Sequence, residues 1–379
     1  MPAGSDAAGG PALDGATMKS KPVGRPAVVC YHNPVSAAPT STFLRACHRL
    51  PVPYTPVWAM RQAGRCLPEY RRIRERMSLL QLCKTPDAAA EVTVQPVERL
   101  GVDAAILFAD ILLVAEPLGI GLDYATGEGP VIARPIRTRD DVARLPEVNP
   151  DDAVPFVYET VRLVRRALAG RVPLIGFAGA PFTVASYLIE GGPSRDFLLT
   201  KRLMLTDPDT WTALMERLSA LTARYLLGQI AAGADAVQLF DSWVGCLSPD
   251  AYRRYVLPHS RAVFAALPPA VPAIHFGTGT AGLLEAMRDA GGQVIGLDWR
   301  VDLGNAWARL GPEIAVQGNL DPAVLLSTPA EIKRGVAGVL DAAAGRPGHV
   351  FNLGHGVLPE TPWEHVRAMV DMVHEMSRR

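Results

Sequence analysis

Between Thr55 and Arg74 the chain reads TPVWAMRQAGRCLPEYRRIR, and its arginines are the residues best equipped for chemistry. Arg61 and Arg65 flank a Gln-Ala-Gly turn; Arg71, Arg72, Arg74 and Arg76 follow, with Glu69 and Glu75 the only carboxylates among them. A guanidinium offers two parallel donors from a planar fork and does not lose its proton, so it suits carboxylate recognition. The cluster points to a small polyanion as ligand. Arg71, Arg72 and Arg76 also fit the solvated face of a helix. Arg61 and Arg65 leave a buried apolar run, Val57 to Met60, where no such face is available.

Four more side chains stand where chemistry is possible. Asp110 closes AAILFAD, Tyr187 lies in FTVASYLIEGG, Ser242 follows Asp241 in LFDSW, and His355 sits in FNLGHGVLP. Each also has a structural reading on sequence alone, of equal weight for Asp110 and the commoner one for Tyr187 and His355. Asp110 can be a turn or cap residue, Tyr187 a core aromatic on the first turns of a helix, Ser242 a cap, and His355 a satisfied core histidine. The glycines of GTGTAGLL, Gly277 to Leu284, suggest a phosphate cradle only weakly; at a rim they more often allow a sharp turn or a close approach.

The elements that must position these residues alternate. Short apolar runs at 57–60, 104–108, 174–178, 236–240, 273–276, 294–297, 315–317 and 350–353 read as strands. Helix patterns lie between them at 86–100, 153–168, 208–232, 249–266, 282–290, 329–343 and 362–376. Thr85, Asp207 and Ser248 each precede a proline and are placed to cap the helices that follow. About eight strands alternating with helix patterns predict a single (β/α)8 TIM barrel, with an open doubly wound sheet the alternative. The glycine-rich stretch from Pro117 to Glu147 reads as an extra hairpin after the second strand. In a barrel all the candidates would share the C-terminal rim, together with Asp241, the GTG turn, Asp298, Asn319 and Asp321.

Composition excludes several classes. In 379 residues, 49% are apolar and 20% charged with zero formal net charge, enough for one large core and too balanced for a nucleic-acid or membrane-surface binder. No run is long enough to span a bilayer. The 5 cysteines lack CxxC or zinc-ligand spacing, which fits a reducing, cytoplasmic setting. Residues 1–39, rich in Ala, Gly, Pro and Ser, are expected to be a disordered tail, with the barrel occupying 40–379.

PVWAMRQAGR followed by LPEYR, with FADIL and FNLGHGVLPETP, resembles the uroporphyrinogen decarboxylase family, and the likeness runs from about Ser41 to Glu375. The resemblance implies decarboxylation of the four acetate arms of uroporphyrinogen III to methyl groups without cofactor or metal, by a homodimer. It implies that Arg61, Arg65 and Arg74 hold substrate carboxylates, that Asp110 receives the pyrrole N–H groups, and that Tyr187, Ser242 and His355 contact the substrate's side chains. Asp110 and Arg61 are the implied catalytic pair. Two positions depart from the family pattern: Cys66 stands where Tyr is usual, and Pro193 where a glycine is expected. The rival reading is a corrinoid-dependent zinc methyltransferase on the same barrel. It would need a zinc thiolate site at the late strand ends, and no cysteine follows Cys246.

Overall fold

The computed structural model describes residues 41–64, 66–125 and 129–379; Arg65 and the expected tail at 1–39 lie outside the described residues. In chain order the strands are β1 (Ala105–Ile106), β2 (Leu122–Ala125), β3 (Gly129–Ile132), β4 (Leu174–Gly179), β5 (Ala236–Asp241), β6 (Ala273–Gly277), β7 (Val294–Gly296), β8 (Ala315–Gln317) and β9 (His349–Val350). Seven of them form one parallel sheet in the order β1-β4-β5-β6-β7-β8-β9. β2 and β3 pair antiparallel, Leu122 opposite Ile132, as a ribbon in the stretch where a hairpin was expected.

A chain of side-chain hydrogen bonds shows that the sheet curls. Gln317 on β8 donates to Gln238 on β5 at 3.0 Å, across two intervening strands, and accepts from Trp58 Nε1 at 3.0 Å. Groups so far apart in strand order meet only if their faces turn toward a common interior. All three side chains are buried, so the bonds also offset their desolvation.

The expected strand at Val57 to Met60 is corrected to an extended segment with a single bridge, Val57 to Phe351. Phe351 N–H donates to Pro56 O at 2.8 Å and Trp58 N–H to Phe351 O at 3.3 Å, while on the other side Asp103 N–H donates to Val57 O at 2.8 Å. The segment thus touches the chain beyond β9 and the chain before β1. Asp103 secures it further, because its carboxylate accepts from Val57 N–H, from Tyr54 O–H and from His374 on the last helix.

The helices Pro86–Leu100, Pro208–Ala232 and Pro329–Ala343 begin and end where expected. Each starts with Pro, which lacks only a donor the first turn leaves orphaned anyway. Asp207 and Ser248 cap as expected, whereas Thr85 makes no cap bond; its hydroxyl donates instead to Gln81 O at 2.8 Å. The pattern at 249–266 splits into Pro249–Tyr255 and Leu257–Ala265, and the one at 153–168 into Pro150–Ala153 and Pro155–Leu168, with Pro258 and Pro155 in the first turn of the later helix at each break. Gly228 lets the helices Pro155–Leu168 and Pro208–Ala232 pack closely, since a Cβ there would lie 2.4 Å from the Tyr158 ring.

His349 on β9 gives the fold a pH dependence. Its Nε2 faces Gly318 O at 2.9 Å, and burial above all pushes its pKa down to about 4. A histidine held neutral in the fold stabilises it fully above its unfolded pKa of about 6.5, and that contribution is lost as pH falls through the folded value. The melting temperature is therefore expected to fall between pH 6.5 and 4, with a shallower fall in His349→Gln; parallel Tm profiles would contradict this.

Candidate active site

Arg61 stands immediately after Met60, on a turn that the sequence builds tightly. Gln62 is fully buried; its side-chain oxygen accepts from Ala59 N–H at 2.9 Å and its amide donates to Ala104 O at 2.9 Å. Met60 is tied to the last strand region by Asn352 Oδ1 and by Val357 N–H. Arg61 itself adopts φ 62°, a left-handed conformation that an L side chain rarely takes. Such strain persists only where the surroundings enforce it, and it is common at functional sites.

His355 approaches from the other end of the chain. A Cβ on Gly356 would lie 2.3 Å from Arg61 Cδ, and one on Gly354 would lie 2.1 Å from Trp299 N. The two glycines flanking His355 are thus required by close approach on both sides. Gly356 N–H donates to His355 Nδ1 at 2.7 Å, which places the ring hydrogen on Nε2. Burial first, then the positive charges of Arg61 and Arg300, lower the His355 pKa to about 4 against the opposing pull of Asp298. At neutral pH it is an uncharged donor.

Asp110 follows β1 and is half-buried. Its Oδ1 accepts from Leu112 N–H at 2.8 Å, so the turn role is real. The remaining environment is more than a turn requires. Burial raises its pKa, opposed by the Tyr124 hydroxyl, the Leu112 N–H and the Arg61 charge. Tyr124, on the ribbon, has a buried hydroxyl close enough to influence Asp110 but in no hydrogen bond at normal distance. Tyr187 is pushed up to about 12 by burial and the Asp110 charge, against the pull of Trp243 and Arg61. Arg61, Asp110, Tyr187 and His355 therefore share one electrostatic neighbourhood.

The other candidates divide. Tyr187 lies on the helix Pro181–Glu190, in its second half and not its first turns, and packs edge-on against Trp243 at 5.9 Å between centroids. Ser242 is half-buried and its carbonyl accepts from Thr278 Oγ1 at 2.6 Å. Arg74 is half-buried, directs one guanidinium nitrogen to the Met77 carbonyl, and lies near enough to Cys83 to act on it electrostatically, as Asp110 does. Arg71 and Arg72 are exposed on the helix Pro68–Arg74, the solvated-face alternative, whereas Arg76 is exposed in the turn after that helix. Among the further residues expected at the rim, Asp241 is buried and accepts from Thr183 Oγ1 at 3.0 Å, and Asp321 caps the turn Pro322–Leu326. Cys66 is buried, its thiol pushed up to about 11 by burial, and Pro193 packs on the position a Gly129 Cβ would take.

Sequence reasoning missed Tyr124, Trp243 and Trp299. The signal for Tyr124 was its place in the inserted ribbon and that for Trp243 its place beside Ser242 in LFDSW; nothing local marked Trp299. Among the described residues no group of three or more His, Cys, Asp or Glu side chains is placed to hold a metal ion, and no helix is long and apolar enough to cross a membrane.

Residues 38–376 match the family model of uroporphyrinogen decarboxylase. The chain is 57% identical to the uroporphyrinogen decarboxylase of Sorangium cellulosum over 89% of its length and 96% of the relative's, and 55% identical to that of Streptomyces coelicolor over 91% and 97%. Among solved structures, a methyltransferase from Methanosarcina mazei superposes with a TM-score of 0.76 at 20% identity, covering 88% of this chain and 98% of that one. A likeness at that identity shows the fold alone. The mixed α/β architecture with its curled parallel sheet is common to both.

Proposed function

The chain belongs to the uroporphyrinogen decarboxylase family, and we propose that the rim carrying Arg61, Asp110, Tyr187 and His355 is where its tetrapyrrole substrate is held and decarboxylated. The observation that carries this reading is Asp110. Its carboxylate is half-buried beside two tyrosines and within the field of Arg61, on the same rim as a neutral histidine. We read the contacts of the Val57 segment with both ends of the sheet as the eighth stave of a closed barrel, and the β2–β3 ribbon as an insertion over its mouth. Residues 40–379 then carry the activity, with residues 1–39 accessory to it. A cytoplasmic homodimer belongs to the same proposal.

The chemistry asks little of the protein beyond placement and charge. Protonation of a pyrrole carbon next to the acetate-bearing carbon makes the ring cationic. The C–C bond to the carboxylate then breaks, carbon dioxide leaves, and its electron pair neutralises the ring as an exocyclic methylene. The methylene takes a proton to become methyl and the ring gives up the first one. The substrate is its own electron sink, so no separate sink is called for. Asp110 accepts hydrogen bonds from the pyrrole N–H groups and opposes the positive charge as it develops. Arg61, Arg65 and Arg74 hold carboxylates, and Tyr187, Ser242 and His355 contact the arms. A substrate carboxylic acid or water is a better proton donor than Arg61, whose guanidinium is a poor acid.

Incubation with uroporphyrinogen under reducing conditions, with the oxidised products separated by chromatography, tests the reading. We expect stepwise loss of acetate carboxyls to coproporphyrinogen, unchanged after dialysis against a strong chelator. A stoichiometric metal on which turnover depends would favour the methyltransferase chemistry instead.

A further inference from the structure

The loop after β7 presents Asp298, Trp299 and Arg300 at the same rim. Arg300 follows none of the motifs that point to the site, yet its guanidinium is held with unusual care. Its Cζ lies 3.9 Å from the centre of the Trp299 ring, and Nη1 donates to Asp298 Oδ2 at 3.0 Å. The loop beneath is rigid: Asn319 Nδ2 donates to Asp298 O at 2.8 Å and Val301 O at 2.7 Å, and Asp298, fully buried, also accepts from Arg300 N–H and Gly279 N–H.

This arrangement is more than stability needs. Asp298 keeps two backbone donors without the guanidinium, and an ion pair whose arginine is 55% exposed adds little to the fold. The other nitrogens of the Arg300 fork make no hydrogen bond to any described residue, so a planar donor set is oriented and unspent. Position supplies the rest. Trp299 meets His355 edge-on at 6.0 Å between centroids, and His355 feels Arg300 and Arg61 together.

We infer that Arg300, stacked on Trp299 and steered by Asp298, is a further carboxylate-binding residue of this site, gripping an arm of the macrocycle from the side of the rim opposite Arg61 across His355. The assignment rests on the decarboxylase reading for the identity of the ligand. It holds an arm and does not touch the reacting carbon.

The test compares the parent with Arg300→Lys and Arg300→Met, by steady-state kinetics with uroporphyrinogen and by fluorescence titration with uroporphyrin as a polycarboxylate probe. Loss of one charge-assisted contact made equally in ground and transition states raises KM and the probe's Kd about tenfold or more in Arg300→Met while kcat stays within about threefold. Arg300→Lys recovers part of the loss, and the salt dependence of KM is shallower in Arg300→Met than in the parent. Binding of coproporphyrinogen distinguishes the arm: affinity reduced in step means a propionate, affinity unchanged means an acetate, and both patterns support the contact when KM has risen. Unchanged KM and Kd in a folded Arg300→Met protein overturn the assignment, as does a fall of Tm and kcat with KM unmoved. A parent that binds the probe without turning over uroporphyrinogen overturns the decarboxylase reading alone, and the Kd ratio still decides Arg300.

Discussion

Asp110→Asn is expected to yield a folded protein whose turnover of uroporphyrinogen is reduced a hundredfold or more. The substitution separates the two roles of the residue. Asn keeps an oxygen to accept the Leu112 N–H, so the turn survives. On the proposed assignment it loses the charge that would face the ring when the ring becomes cationic. An interaction stronger in the transition state than in the ground state acts on the rate, and removing one such preorganised partner costs on the order of 3 kcal/mol.

Stability should move the other way. Burial raises the Asp110 pKa, so the ionised group opposes folding. Its contribution is most favourable below the unfolded pKa and is lost as pH rises through the folded value. At neutral pH the Asn variant should therefore melt at the parent's temperature or above it, a site that gives up stability for function. Turnover within threefold of the parent would leave Asp110 as a turn residue and no more.

Arg61→Lys should lower kcat/KM at least about tenfold without unfolding the protein, because an ammonium cannot reproduce the bidentate fork. Gly356→Ala reaches the same group from the opposite side. Its Cβ would fall 2.3 Å from Arg61 Cδ and 2.6 Å from Cγ, in the body of the side chain and not at a tip that can swing away. The guanidinium must move, and misplacement of about 1 Å costs on the order of a hundredfold in rate. Two variants that share the defect, one chemical and one steric, should both spare the circular dichroism spectrum. Near-parent kinetics in Arg61→Lys would return Arg61 to a structural role.

Helices were legible in the sequence where local chemistry and periodicity agreed. Pro208–Ala232 has Asp207 ahead of its proline and Gly233 in the left-handed conformation behind it, and both ends are where they were expected. The Val57 segment was not, because an apolar run looks the same whether it pairs along its length or at one residue. The candidates were legible in the sequence only as residue types within short motifs. What makes them a neighbourhood was not: Tyr124 reaches Asp110 from an inserted ribbon, and Gly354 and Gly356 press His355 between Trp299 and an Arg61 that lies almost 300 positions earlier in sequence. Gln62 reads as a loop residue, yet it is the buried anchor that holds Arg61 in a left-handed turn. Such relations exist only after folding. Arg65, expected beside Arg61, lies outside the described residues.

A crystal structure of the protein with coproporphyrinogen, grown under reducing conditions, tests most directly where the substrate is held. The macrocycle should lie at the rim with its N–H groups turned to Asp110 at a hydrogen-bond distance of about 3 Å, and with carboxylates on Arg61 and on the fork of Arg300. A product bound elsewhere, or bound at the rim with its N–H groups turned away from Asp110, would contradict the assignment of this site.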